Sequence, residues 1–171
     1  METKAIDAIL SRRSIRKFSG KTVNEATVET LLKAAMSAPS AHNQQPWVFV
    51  IIDDREVLDR IPEFHPYSSM LLHAPIAILV CADTSNLSSP EFWPQDCSAA
   101  TENILLAANS CGLGSVWLGV YPREELMSGL SRLLQLPENI QPFSLVSLGY
   151  PATEKVASKR FDPARIHRNH W

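Results

Sequence analysis

Ala38-Pro39-Ser40-Ala41-His42-Asn43-Gln44-Gln45-Pro46-Trp47-Val48-Phe49-Val50-Ile51-Ile52 changes character at its second proline. From Trp47 to Ile52 every residue is β-branched or aromatic, with no polar alternation. That describes a strand covered on both faces, hence a central one. The part before it is a polar loop held between two prolines and dense in amide and hydroxyl groups. Ser40, Asn43 and Gln45 present donors and acceptors that suit the edge of a heterocycle. Turn chemistry is the alternative, and it accounts for proline and asparagine better than for the run of amides.

Upstream, Val28, Leu31, Leu32 and Ala35 form one apolar face of a helix that Asn24 caps and Pro39 stops after Ser37. A shorter amphipathic helix over Lys4 to Arg13 carries Ala5, Ile6, Ile9 and Leu10 at helical spacing. Downstream, Asp53 or Asp54 caps a short helix with Val57, Leu58 and Ile61, and a further helical piece is expected near Tyr67 to His73. A second buried strand spans Ile76 to Ala82. After a loop rich in serine and proline, Ser85 to Pro94, the longest helical pattern runs from about Asp96 to Cys111, with Gly112 as its terminal cap. Nearly all its faces are small or apolar, which places it in a core or a subunit interface. A strand at Val116 to Tyr121, a helix from about Arg123 to Leu134 and a strand at Phe143 to Tyr150 follow. Strands interleaved with helices imply a doubly wound parallel sheet. The glycine fingerprint of such folds is absent, because Gly112-Leu113-Gly114 precedes a strand instead of following one.

The 171 residues are 45% hydrophobic and carry a formal net charge of -2, which fits one soluble domain and excludes a global basic field for nucleic acid. No apolar run approaches the ~20 residues needed to cross a bilayer. The N-terminus, interrupted by Arg12 and Arg13, does not resemble a secretory signal. Cys81, Cys97 and Cys111 form no Cys-x-x-Cys pair and sit in apolar context. All three are expected to be small buried hydrophobes in a reducing cytoplasm.

Two clusters are cationic. Arg12-Arg13-Ser14-Ile15-Arg16-Lys17-Phe18 gathers guanidinium groups and a hydroxyl suited to a compact anion such as a phosphomonoester. A solvated helix end complementing its own dipole is the other reading. Ser158-Lys159-Arg160-Phe161-Asp162-Pro163 lies in a polar, basic tail, Pro151 to Trp171, that has too few apolar residues for a core of its own. The two clusters suit one shared anion; a solvated tail is the alternative. His167-x-x-His170 offers two imidazoles without a third ligand, so no metal is expected.

Taken together, Arg-Arg-Ser-Ile-Arg-Lys-Phe at 12–18, Ala-Pro-Ser-Ala-His-Asn-Gln-Gln-Pro-Trp at 38–47, Asp-Cys-Ser-Ala-Ala-Thr-Glu-Asn-Ile-Leu-Leu-Ala-Ala at 96–108, Gly-Leu-Gly-Ser-Val-Trp-Leu-Gly at 112–119 and Leu-Gly-Tyr-Pro at 148–151 resemble the nitroreductase-like flavoproteins, in that family's order. The resemblance implies an α+β fold with a mostly antiparallel central sheet flanked by helices, replacing the parallel reading. It also implies an intertwined homodimer with FMN at the interface and C-terminal segments, here residues 151–171 of a single 1–171 domain, exchanged between subunits. By matching position, Arg12, Arg13, Ser14 and Arg16 would bind FMN phosphate, ribityl and ring-edge oxygens, and Arg160, helped by Lys159, would close on the phosphate. Pro39, Ser40, Asn43 and Gln45 would line the ring from the second subunit. Leu118, Gly119 and Val120 would offer backbone groups near the flavin N5. The implied activity passes electrons from NADH or NADPH to a small acceptor such as a nitroaromatic or a quinone. Alternatives are a flavin-binding protein without turnover and a same-fold enone reductase or dehalogenase. The segment from Leu87 to Pro94 is unlike the substrate-covering insertion of larger members, so acceptor preference does not carry over.

Overall fold

The computed structural model describes residues 4–153 and 160–171. Strands β1 (Trp47–Ile52), β2 (Ile76–Asp83), β3 (Gly114–Gly119) and β4 (Ile140–Gly149) form one sheet in the order β1-β2-β4-β3. Each neighbouring pair is antiparallel. The doubly wound parallel arrangement is therefore overturned, and the position of β4 is the reason. β2 and β3 do run the same way, joined across helix α4 (Trp93–Ser110), as the alternation of elements implied. The crossover skips one position, and β4 fills that gap in the opposite direction.

Helices cover both faces, which explains why β2 lacks polar alternation. β1, expected to be central, is instead an edge strand paired only with β2 and partly covered, with Ile51 38% exposed; an apolar run does not distinguish an edge place from an inner one. On one side Ile76, Ile78, Val80 and Ala82 pack with Val28, Leu31 and Ala35 of α2 (Glu25–Met36) and with Ile104 and Ala108 of α4. On the other, Ala77, Leu79 and Cys81 pack with Leu58 of α3 (Arg55–Arg60), Ile61, Leu71, and Leu126 and Leu130 of α5 (Glu124–Leu134). Each large aliphatic side chain so buried contributes about 1.5–3 kcal/mol. The register of β2 is held from both sides at once.

The expected caps form. Asn24 Oδ1 accepts from the Thr27 amide at 2.8 Å and Asp54 Oδ1 from the Glu56 amide at 2.8 Å. α4 begins at Trp93, ahead of the expected Asp96, because Pro94 falls in its first turn. A proline there loses no hydrogen bond and its φ is already helical, so it opens the helix instead of breaking it. Gly112, at φ +75°, provides the left-handed residue after the helix. Cys111 is exposed, contrary to its apolar context; it caps α4 at the surface, whereas Cys81 and Cys97 are buried.

Helix α1 (Lys4–Ser11) stops before the basic cluster, and Asn109 Nδ2 ties down its end by donating to the Ala8 carbonyl at 2.9 Å and Ser11 Oγ at 2.8 Å. The chain then lies against the sheet edge. The Ile15 amide donates to the Ser115 carbonyl at 2.9 Å, and Phe18 bridges Pro151 just beyond β4. Gly114 makes this possible: a Cβ there would come within 2.6 Å of Ile15 Cγ2. The absent side chain lets the N-terminal segment rest directly on β3.

Candidate functional site

The polypeptide's two ends meet in a cleft of about 600 Å³ lined by Ile9, Leu10, Arg12, Arg13, Glu102, Arg160 and Phe161. Arg12 is 17% exposed, with Nε 3.6 Å from Glu102 Oε1. Arg13 donates from Nη1 to the carbonyls of Leu10 and Arg12 at 2.9 and 2.6 Å, so part of its fork steadies the end of α1. Ser14 and Arg16 alternate with buried Ile15 and stand on the exposed side of the same segment, outside the cleft lining. Lys159 lies outside the described residues.

The loop ahead of β1 is a separate construction. The Asn43 amide donates to the Ser40 carbonyl at 3.1 Å, the Gln45 amide to Ser40 Oγ at 3.0 Å, and Gln45 Nε2 to Asn43 Oδ1 at 3.0 Å. Part of its polar density is thus turn chemistry after all. His42, Asn43 and Gln45 adopt φ of 49°, 54° and 46°, left-handed values that cost a non-glycine residue about 1–3 kcal/mol each in the less populated cases. Pro39, Asn43 and Gln45 are exposed and Ser40 is half-buried.

None of these four residues lines the arginine cleft. The two places use different points of α4. The loop hangs on Asp96 of that helix, while the cleft uses Glu102. Six residues correspond to about 9 Å along the axis and about a third of a turn around it.

Sequence reasoning missed Asp96 and Gln44. Asp96 is 4% exposed, yet in the sequence it marks only the start of a helix. Once the helix is known to begin at Trp93, a carboxylate inside its first turns and facing inward is the signal that was available.

A third piece lies at the end of β3. Leu118 and Val120 are buried, whereas Gly119 is exposed and a Cβ on it would meet nothing within 4 Å, so its backbone can be approached closely. Its carbonyl accepts from His65 Nε2 at 3.1 Å, which assigns the proton of the neutral ring to that nitrogen. The amides of Val120 and Tyr121 share the Phe143 carbonyl at 3.3 and 2.9 Å. Beside this turn the rings of Trp93 and Tyr121 meet edge-on with centroids 4.6 Å apart, and Phe143 packs against both. Trp117 joins from the core side.

His65 is 1% exposed, and burial pushes its pKa below the ordinary 6.5, with the Gly119 carbonyl opposing and Arg123 adding to the fall. A base held neutral by the fold binds fewer protons there than in the unfolded chain. Its contribution is present above pH 6.5 and drains away as pH falls toward the lower folded value. The melting temperature is therefore expected to drop on acidification from pH 7 to 5, with a shallower slope in His65→Gln. Identical slopes in the two proteins would show that His65 is not the group responsible.

The buried thiols are poor nucleophiles: desolvation raises Cys97 as well as Cys81, the latter to about 12. Among the described residues no three His, Cys, Asp or Glu side chains group to hold a metal ion, and no helix is long and apolar enough to cross a membrane. His167 stacks on Trp171 at 4.3 Å between ring centroids.

A family model described as the nitroreductase family matches residues 9–65 and 63–150. An Archaeoglobus fulgidus protein, provisionally named an NADH dehydrogenase/NAD(P)H nitroreductase, is 54% identical over 172 residues, covering 98% of this chain and 99% of its own. A Bacteroides thetaiotaomicron crystal structure with the same provisional name superposes with a TM-score of 0.95 at 41% identity, over the whole of both chains. The structure of an FMN-dependent nitroreductase from Clostridium difficile R20291 gives 0.89 at 30% identity, covering 97% of this chain and 99% of that one. The same succession of strands and helices, the antiparallel sheet and this identity across almost the entire length lead to one assignment: the chain belongs to the nitroreductase family.

Proposed function

We propose that this protein is a homodimeric, FMN-dependent oxidoreductase that passes electrons from NADH or NADPH to a small electrophilic acceptor, such as a nitroaromatic or a quinone, in a two-step exchange. The observation that carries the reading is the cleft where Arg12 and Arg13 meet Arg160 from the other end of the chain. Its volume falls in the range of about 300–1,000 Å³ usual for small-molecule sites. Cationic forks beside apolar Ile9, Leu10 and Phe161 fit a ligand with a phosphate at one end and a flat ring system at the other. The naming of relatives for FMN supports the same ligand.

FMN, when bound, supplies hydride acceptance from the nicotinamide and delivery of electrons to the acceptor. The protein's own residues bind and orient. Arg12, Arg13 and Arg160, with Lys159, neutralise the phosphate, and Ser14 and Arg16 serve the ribityl and ring-edge oxygens from the exposed side of their segment. Pro39, Ser40, Asn43 and Gln45 line the ring, and the backbone of Leu118, Gly119 and Val120 faces its reactive centre. None of the loop residues lines the cleft of its own chain, and a second subunit completes each site. The exposed Ile166 and Trp171 of the tail provide apolar surface for that contact. Residues 1–171 then form one domain with 151–171 as an arm on the partner. Trp93 and Tyr121 give the acceptor side an aromatic wall. No side-chain nucleophile is required. The exposed, unbridged Cys111 suits a reducing cytoplasm.

The purified protein is expected to be yellow with an FMN spectrum, and NADH or NADPH added without oxygen should bleach it until an acceptor restores the colour. Bound flavin that neither nicotinamide bleaches would convert the reading to a binding protein without turnover. Colourless protein that takes up no FMN would overturn it.

A further inference from the structure

Five hydrogen bonds meet at two side chains that no role assigned above uses, the longest from Ser88 Oγ to Gln44 Oε1 at 3.5 Å. Asp96 Oδ1 accepts from the Ala41 amide at 2.9 Å and Oδ2 from Gln44 Nε2 at 2.7 Å. Gln44 in turn reads the backbone of Ser89 in both directions: Nε2 donates to its carbonyl at 3.1 Å and Oε1 accepts from its amide at 3.0 Å. Three segments are thereby joined, namely the loop 39–45, the first turns of α4 and the stretch leading to Phe92 and Trp93. Asp96 is 4% exposed and Ser89 8%. A buried carboxylate is unfavourable unless it accepts hydrogen bonds, and here both its oxygens do.

The left-handed residues His42, Asn43 and Gln45 surround Gln44 on both sides. Such backbone conformations persist only where the surroundings over-determine them. The internal bonds of the loop run among Ser40, Asn43 and Gln45 and do not tie it to the fold; the bonds to Asp96 and Ser89 do. Gln44 therefore faces inward while its neighbours Asn43 and Gln45 face out.

We propose that Asp96 and Gln44 are positioning residues: they hold the loop 39–45 in the conformation that meets the flavin ring and set its distance from the aromatic wall at Trp93. This rests on the flavin reading above. Chemistry at position 96 is specific, because asparagine would turn an NH2 group toward either the Ala41 amide or the Gln44 amide. Both partners are donors.

The test uses the purified protein with Asp96→Asn, Gln44→Ala and the exchanged pair Asp96→Asn with Gln44→Glu. In the pair, the asparagine at position 96 can keep the Ala41 amide and donate to the carboxylate at position 44, which still accepts from the Ser89 amide but no longer donates to the Ser89 carbonyl. Amide hydrogen exchange over residues 40–45 and 88–90 is read alongside FMN affinity and the KM for nicotinamide and for 1,4-benzoquinone. Each single variant is expected to speed exchange at 40–45 and weaken FMN by about ten- to a hundredfold, the range for losing a charged hydrogen bond. KM for the quinone should rise more than KM for the nicotinamide, and the pair should recover part of each loss. Gln44→Ala introduces no buried polar group, so it remains informative if Asp96→Asn does not fold. Unchanged exchange in the variants would overturn the clamp. Faster exchange with unchanged FMN affinity and KM values would leave a structural tie and overturn the positioning role. Wild-type protein that binds no FMN would defeat the flavin reading and, with it, the positioning claim, while the exchange data would still report whether the clamp exists.

Discussion

Replacing Arg12 by alanine is expected to strip FMN from the protein, raising its Kd about ten- to a hundredfold, with yellow colour lost on dialysis. A charge-assisted hydrogen bond to a phosphate contributes about 1.5–3 kcal/mol, and about 1.4 kcal/mol is a factor of ten. An arginine on an ordinary surface would matter by about 0–1 kcal/mol, at most a few-fold. Arg12 is not on such a surface: it is 17% exposed and shares its cleft with Arg13 and Arg160. Its carboxylate neighbour does not satisfy it, since 3.6 Å to Glu102 is longer than the roughly 2.7–2.9 Å of a charge-assisted bond. Glu102 offsets part of the charge without gripping the fork. Glu102→Gln is therefore expected to retain FMN as well as the parent or better, because a negative group leaves the neighbourhood of a phosphate. Arg16→Ala should fall between a surface arginine and Arg12→Ala, since Arg16 stands outside the cleft lining. Fluorescence titration of FMN into each variant reads all three. Arg12→Ala binding FMN as tightly as the parent would remove the phosphate role from this cleft.

The elements of this fold were legible because each depends on local chemistry. Apolar runs without alternation at Trp47–Ile52 and Ile76–Ala82 are both strands, although only the second is central and covered on both faces, and Asn24 and Asp54 cap the helices that their neighbours begin. Strand order was not legible, because the crossover from β2 to β3 looks the same along the chain whether the place between them is filled or not. Only the resemblance to a known family corrected the parallel reading.

For the candidate site, residue types pointed to a convergence of cations where charge is the signal. Clusters at both chain ends stand out against a net charge of -2, and Arg12, Arg13 and Arg160 do line one cleft. They did not suffice for Asp96, Gln44 and His65, whose importance comes from being buried against one particular partner. Period and composition carry no information about such pairings. Cys111 shows the converse, an apolar neighbourhood in sequence that ends at a helix terminus in space.

Truncation at residue 159, removing 160–171, is expected to lower the melting temperature by roughly 10–35 °C and to weaken or abolish the dimer. In a single chain Phe161 is 82% exposed, Ile166 56% and Trp171 fully, an arrangement with no benefit to an isolated subunit. Packed on a partner, each would contribute about 1.5–3 kcal/mol. About 1 kcal/mol moves the melting temperature of a domain of this size by about 2–4 °C. The cut leaves intact the in-chain anchors just after β4, where the Ala152 amide donates to the Lys17 carbonyl at 2.9 Å and Phe18 bridges Pro151. A loss of stability would consequently come from the arm and not from fraying of the sheet edge. Because Arg160 leaves with the arm, FMN affinity should fall as well, and the point variant Arg160→Ala separates the two effects: it should weaken FMN while keeping the dimer. Sedimentation equilibrium and calorimetry decide the matter. A truncated protein with unchanged mass in solution and unchanged melting temperature would mean that the arm does not hold two subunits together.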